Sequence, residues 1–356
     1  MTPALRIEAC AAGSPRHLAD LAALRQRGLP LPHDHGDWPL HNTTAQWRWL
    51  RVVDDAGTLV SGLAVELRRS RAAPGMRIGR IRRVGRALHE PLLPGLGGLL
   101  REAARRLPRL LRLDVEIFDE QPARRRAFVE ALQPHGWRTA ADELGYRETL
   151  RLPLAGRDDD ALLAGFNGRT RRNLRRTQNY PGLRFGPVTT THATRLGELH
   201  QASFARSGGT APALDIDGML ADAATTGGSL LLGCFDRDRA APDDLIAFAW
   251  ITPHGDHASY AHAGSIPPAA RHLAPGAVIM WMAIRWARDR GFDWFDLGGA
   301  TAADDDGPLA GITAFKRGFA SDHIAVAQTL SMTPSPRLAA LIGHGRRLLR
   351  RGEVTG

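Results

Sequence analysis

Lysine is all but missing from this chain. Of 47 basic side chains one is lysine, Lys316, and the rest are arginine. Lysine is ordinarily among the commonest residues, so the generic surface cations here are supplied as arginine. A position that keeps an ammonium then points to a need for a compact, rotatable point charge, which a planar guanidinium does not replace. The opposing consideration is that a single lysine has to fall somewhere, and most lysines serve solubility. Cysteine is nearly as scarce: Cys10 and Cys234 are too few and too far apart for a disulfide framework or a thiolate metal site, which fits a reducing compartment. No apolar run reaches the length of a bilayer span, and the stretch 92–100 is broken by Pro94 and by glycines. The N-terminus leads into polar sequence without a signal-peptide apolar region. These absences predict a cytoplasmic chain with no transmembrane segment.

With 356 residues the chain exceeds one ordinary core and suits two domains. Apolar and charged contents of 43% and 24% describe a globular protein. A net charge of +10 favours polyanionic partners: RNA, nucleotide diphosphates or an anionic membrane face contacted peripherally. High arginine usage also follows from GC-rich coding, so the charge does not name the partner.

Residues 1–45 are rich in Pro, His and Gly and weakly patterned, and are expected to form no regular domain. His33, Asp34, His35 and Asp37 read as a polar loop; no further His/Asp pair supports a metal, and none is expected. From Gln46 the segments 47–53, 59–67 and 76–88 alternate apolar and polar residues as antiparallel strands do, with a turn at Asp54–Gly57. A helix at 95–106, a strand at 110–118, a helix at 123–133 and a strand at 146–154 follow. The second half repeats this grammar. It has one long helix at 159–177, a strand at 183–188, helices at 193–205 and 215–224, and strands at 229–235, 245–251 and 258–263. A helix at 276–289, a strand at 294–297 and a last strand at 323–331 complete it. Residues 332–356 are expected to form a basic amphipathic helix packed on the body. Antiparallel strands, a crossover helix and a further strand, occurring twice, predict an α/β (α+β) chain of two tandem acyltransferase domains of the GNAT superfamily. Their sheets are mixed, mostly antiparallel and flanked by helices, and their expected bounds are 46–156 and 157–331.

Three stretches narrow this. Trp294-Phe295-Asp296-Leu297-Gly298-Gly299 is followed by an acidic loop and Gly311-Ile312-Thr313-Ala314-Phe315-Lys316-Arg317-Gly318-Phe319. The helix 281–291 precedes them, and 160–167 leads into the arginine-rich 169–176. Together they resemble the Fem-type proteins, the FemABX peptidyltransferases, which are similar to acyltransferases of exopolysaccharide gene clusters that share their second domain. The resemblance implies aminoacyl transfer from aminoacyl-tRNA to an amine of a peptidoglycan precursor, nucleotide- or lipid-linked, with no permanently bound cofactor. It implies that Lys316 lies near the ester carbonyl, that Arg206 meets the acceptor's phosphates, and that Tyr260 meets the acceptor and reacting groups. Phe315, Arg317, Gly298 and Gly299 are expected around the substrate. The sequence departs from the family at Ser207-Gly208-Gly209-Thr210, where an aromatic or bulky residue is usual, and it shows no coiled-coil arm.

The chemistry reads the same way from the residues. Aminolysis of an ester or thioester passes through an oxyanion, and an ammonium preorganised there contributes on the order of 2.7–4 kcal/mol. Protonated lysine is a poor general base. Asp296 is the protein-side candidate for taking the amine's proton, or else a turn cap before Gly298. Tyr260 either donates to a leaving 3′-hydroxyl or simply packs. Arg169, Arg172 and Arg176 share one helix face, fit to grip tRNA phosphates or else merely solvated. Leu163, Phe166, Thr170 and Leu174 form its buried stripe.

Three activities compete: tRNA-dependent aminoacyl transfer, acyl-CoA-dependent N-acyl transfer, and non-catalytic RNA or envelope binding. Coenzyme A users of this fold present backbone amides at a helix N-terminus. Here the corresponding stretch, Arg271 to Ala277, carries Ala274 in place of a glycine and Pro275, which has no N–H to offer.

Overall fold

The computed structural model describes residues 5–27, 46–71, 73–84, 93–206, 211, 213–225, 228–268, 272–301, 310–335 and 340. The chain divides into two units, the first comprising Met1–Leu40, Thr44–Gly145 and Val326–Gly356, the second running over Tyr146–Ala325.

The first unit is built on β1 (Arg6–Ala11), α1 (Pro15–Gln26), β2 (Gln46–Val53), β3 (Leu59–Arg69), β4 (Arg77–Val84), α2 (Leu93–Arg106), β5 (Leu110–Phe118), α3 (Pro122–Leu132) and β6 (Arg138–Thr139). Its sheet runs in the order β1-β2-β3-β4-β5, then a strand from the far end of the chain, Ala327–Met332, then β6. Only β4 and β5 pair in parallel, as a strand–helix–strand crossover through α2 requires. Alternation along β5 makes the core: Leu113, Val115 and Ile117 are fully buried, and they pack in one cluster with Leu96 and Leu100 of α2 and Phe128 and Leu132 of α3.

Residues 6–26 overturn the expectation of an unpatterned N-terminus. β1 pairs with β2 along its whole length, and α1 is capped by Ser14, whose Oγ accepts from the His17 N–H. The apolar signal of α1 is weak because only Leu21 and Leu24 reach the core. What fixes the helix is Asp20, which accepts from Trp49 Nε1 at 2.9 Å and from Arg51 Nε and Nη2, each at 2.9 Å. Those partners lie about 30 residues on, beyond any local reading. The motif at His33–Asp37 lies outside the described residues.

The second unit contains β7 (Glu148–Pro153), α4 (Asp159–Gly165), α5 (Gly168–Gln178), β8 (Leu183–Pro187), α6 (Ala193–Arg206), α7 (Ile216–Ala223), β9 (Leu230–Asp236) and β10 (Leu245–His254). It continues with β11 (His257–Ser265), α8 (Pro275–Asp289), β12 (Trp294–Gly299), α9 (Ala310–Lys316) and β13 (Asp322–Ala325). The order is β13-β7-β12-β11-β10-β9-β8, with β11 and β12 parallel across α8. Strand for strand this is the topology of the first sheet, so the repeated grammar is a repeated architecture of two mixed sheets flanked by helices.

Two boundaries differ from expectation. The helix at 159–177 is two helices: Phe166 is extended (ψ 148°), Asp158 caps α4 and Asn167 caps α5 through its side chain. The strand at 323–331 is likewise two, β13 in the second sheet and β14 (Ala327–Met332) in the first. The first sheet is therefore completed by a strand that follows the whole second segment in sequence: β14 follows β13 and joins the first, whereas β7 opens the second segment. The domain limits at 156 and 331 accordingly become 145 and 325. Of the C-terminal amphipathic helix, almost all lies outside the described residues.

Candidate active site

The C-terminal end of β12 gathers the chemistry of the second unit. Asp296 is fully buried in the strand, and four donors converge on it: Thr149 Oγ1 of β7 at 2.5 Å, Ser259 Oγ of β11 at 2.9 Å, the Gly298 N–H at 2.8 Å, and the Tyr146 hydroxyl. Two carboxylate oxygens offer about four acceptor positions, so its lone pairs are committed. Asp296 ties β7, β11 and β12 together and caps its own turn, and the role of proton acceptor from the amine does not fit this arrangement. Tyr146, Thr149 and Ser259 were not legible as site residues; two of them lie about 150 positions away in the chain.

Beyond Asp296 the strand turns on two glycines with distinct jobs. Gly298 has φ +78°, and a Cβ there would come within 3.0 Å of the Tyr260 carbonyl and 3.4 Å of Lys316 Nζ. At Gly299 a Cβ would stand 2.9 Å from Tyr146. The pair lets Lys316 approach the backbone: its Nζ donates to the Gly299 carbonyl at 2.7 Å while the side chain is only 6% exposed. Burial lowers the ammonium pKa to about 8, with the Asp296 carboxylate pulling the other way. Among the described residues Gly299 is its one hydrogen-bond partner, which leaves two N–H groups for a substrate oxygen.

Lys316 closes α9, and α9 is fastened on both sides. Arg317 Nη2 donates to the Thr301 carbonyl, and Thr301 N–H donates to Thr313 Oγ1. The Gly318 carbonyl accepts from the Asn167 N–H at 3.0 Å, and Gly318 lies so tightly on Thr170 that a Cβ would come within 2.3 Å of its hydroxyl. The ring of Phe315 packs edge-on against Phe319, Phe319 against Phe166, and Phe166 against Trp281 of α8. The loop carrying the lysine thus rests on the first turn of α5 and on α8.

Tyr260 is half-buried on β11, and burial pushes its phenol pKa up, so it is a proton donor at any physiological pH. The β10–β11 register shifts there: Ile251 faces Tyr260 while Trp250 faces His262, which leaves Ala261 as an extra residue. Arg206, exposed at the end of α6, donates to Ser203 Oγ and Ser265 Oγ at the far end of the same strand. Five residues of strand separate Tyr260 from Ser265, roughly 17 Å at about 3.4 Å per residue. Lys316, Gly298, Gly299 and the backbone carbonyl of Tyr260 are thus brought together; Phe315 and Arg317 brace the loop, and Arg206 stands apart along β11. On α5, Arg169, Arg172 and Arg176 are exposed, whereas Arg171 donates to the carbonyls of Ala164 and Phe166 and so closes the end of α4. Ser207–Thr210 lie outside the described residues, as does Arg271.

The first turn of α8 bears on the donor. The Ala274 N–H is taken by Thr177 Oγ1 at 3.0 Å, Pro275 has none, and the Ala277 N–H is bonded to the Ala274 carbonyl. Three offers to a pyrophosphate, at Ala274, Pro275 and Ala277, are thus withdrawn. No group of three or more potential metal ligands occurs among the described residues. At the opposite end of β7 and β12 an open cleft of about 700 Å³ is lined by Leu154, Asp158, Arg288 and Phe292, away from Lys316.

Residues 164–317 match the acetyltransferase (GNAT) domain family. Among solved structures the chain is similar to FemX, with a TM-score of 0.72 and 14% identity over 94% of this chain and 99% of that one. It is similar to a tandem GNAT protein from the clavulanic acid biosynthesis pathway, at TM-score 0.51 and 14% identity over 94% and 99%. The C-terminal domain of a putative lysylphosphatidylglycerol synthetase from Agrobacterium fabrum scores 0.51 at 14% identity, over 94% and 97%. No curated protein matches the chain in sequence. Fold and matched domain agree on the class: residues 164–317 match an acetyltransferase (GNAT) domain, and the chain as a whole has the fold of a tandem of two such units. Within that class its architecture is Fem-like, as the residues around Asp296 and Lys316 indicated. No helix among the described residues is long and apolar enough to cross a membrane.

Proposed function

We propose that this protein transfers an aminoacyl group from a charged tRNA to an amine acceptor linked to a nucleotide or lipid, as in the building of a cell envelope. The observation that favours this donor is the first turn of α8, where the Ala274 and Ala277 amides are engaged and Pro275 has none to offer. A coenzyme A pyrophosphate needs those groups; an ester on tRNA does not. In this reading the acceptor amine attacks the ester carbon and the carbonyl oxygen takes up negative charge. The Lys316 ammonium, aimed by its bond to Gly299, donates to that oxygen. Tyr260, neutral because it is buried, gives its proton to the departing 3′-oxygen, and a phosphate oxygen or the substrate itself receives the amine's proton. In this reading the exposed Arg206 meets an acceptor phosphate, and the exposed face of Arg169, Arg172 and Arg176 meets further phosphates.

The match of residues 164–317 to an acetyltransferase domain favours the second reading, an acyl-CoA donor. The two are separated by incubating the protein with an amine acceptor and either charged tRNA or acyl-CoA, then following deacylation. Deacylation of tRNA alone is the expected result; consumption of acyl-CoA alone would overturn the proposal. Lys316→Met should slow transfer by about 10²–10³-fold, the scale of removing an oxyanion donor.

A further inference from the structure

The positive charge of this protein is not shared between its units. The first unit has 28 arginines against 17 carboxylates, the second 18 arginines and Lys316 against 20. The whole excess lies in the unit without the lysine. Much of it stands at one end of the first sheet, where β3 ends and β4 and β5 begin. Arg69 and Arg77 are directly opposed across β3 and β4, and the Arg77 N–H is bonded to the Arg109 carbonyl at 2.8 Å. Arg71 lies in the β3–β4 turn, and Arg105 and Arg106 close α2, both paired to Glu102. Among the described residues Arg69, Arg71, Arg77 and Arg109 make no ion pair, and Arg69, Arg71 and Arg109 are exposed.

Folding does not ask for this arrangement. Like charges directly opposed across strands are unfavourable, and Arg109 sits at φ +56°, a conformation that disfavours side chains. The equivalent end of the second sheet, with the same topology, carries Arg288 and Arg290 among Asp256, Asp289 and Asp293. The arginines of the first unit are thus additional to the architecture.

We propose that this arginine tip docks the phosphate backbone of an RNA. The side chains are exposed and spread over two strands, a turn and a helix end, so they suit a polyanion with repeated phosphates. A membrane is the poorer fit, because none of the large exposed apolar residues (Leu18, Tyr180 and Ile312 among those described) belongs to the tip. The identity of the RNA as the tRNA donor rests on the function proposed above; the dock itself does not.

The test is binding of deacylated tRNA by the full chain, read by fluorescence anisotropy across a salt series. The variant is Arg69→Gln with Arg71→Gln and Arg109→Gly. Glycine accepts the positive φ, and glutamine removes the like-charge pair, so the melting temperature should stay or rise. Three lost phosphate contacts should weaken binding about tenfold or more near 0.1 M salt and reduce the slope of log K against log salt by about 2–3. Unchanged affinity and slope would overturn the proposal, as would loss of binding only on replacing Arg169, Arg172 and Arg176 by glutamine. Phosphatidylglycerol vesicles bound in preference to tRNA, or an equal response to inorganic pyrophosphate, would also overturn it. Salt-sensitive, tip-dependent tRNA binding without aminoacyl transfer would remove the proposed function and leave the dock standing.

Discussion

Lys316 carries an unfavourable burial that the fold does not otherwise need. With a pKa near 8 it is still mostly protonated at pH 7, and transfer that depends on the ammonium should decline as pH rises through about 8. The sign for stability is opposite. The unfolded lysine titrates near the ordinary value of 10.5, so between about pH 8 and 10.5 the unfolded chain holds more protons than the folded one. Burial of this group therefore destabilises below pH 8, and stability recovers as pH climbs through that window. Lys316→Met should raise stability at pH 7 and flatten the rise from pH 8 to 10.5, measured by urea unfolding at a series of pH values. Identical slopes for the variant and the parent would mean that the ammonium is not buried as described.

Among elements, the decisive joint is β12 between β7 and β11. Asp296 holds all three, and its turn presents Gly298 and Gly299 to Lys316. Thr149→Val takes a donor from a buried carboxylate and leaves the Gly298 carbonyl without the Thr149 hydroxyl. The expected cost is about 1–3 kcal/mol of unfolding free energy, with Thr149→Ser restoring most of it. Equal stability of Thr149→Val and the parent would show that the convergence on Asp296 is not a structural latch. The same logic explains the break at Phe166: by starting a new helix, Asn167 brings Thr170 under Gly318 and seats the lysine loop.

At the scale of the molecule, the first sheet depends on a strand delivered from beyond the second segment of the chain. β14 lies between β5 and β6, with Leu330 and Met332 in the first core, although every proposed reacting group precedes it. A chain ending at Ala325 should therefore lose hydrogen-exchange protection in β5 and α2 while β9–β12 retain theirs. Persistent protection of β5 would show that the first unit stands without its borrowed strand.

The sequence by itself determined the repeated strand–helix–strand order, the Fem-like residues around Asp296 and Lys316, and the singular ammonium, because local periodicity and composition encode these. The glycines at 298 and 299 were visible as a turn. Only the tertiary structure decided that Asp296 is saturated by Tyr146, Thr149 and Ser259, that residues 6–26 form part of the first unit, that β7 belongs to the second sheet, and that β14 returns to the first. Those outcomes rest on partners roughly 30 to 150 positions apart or on edge-strand pairing, and the free energy of such contacts leaves no local pattern in the chain.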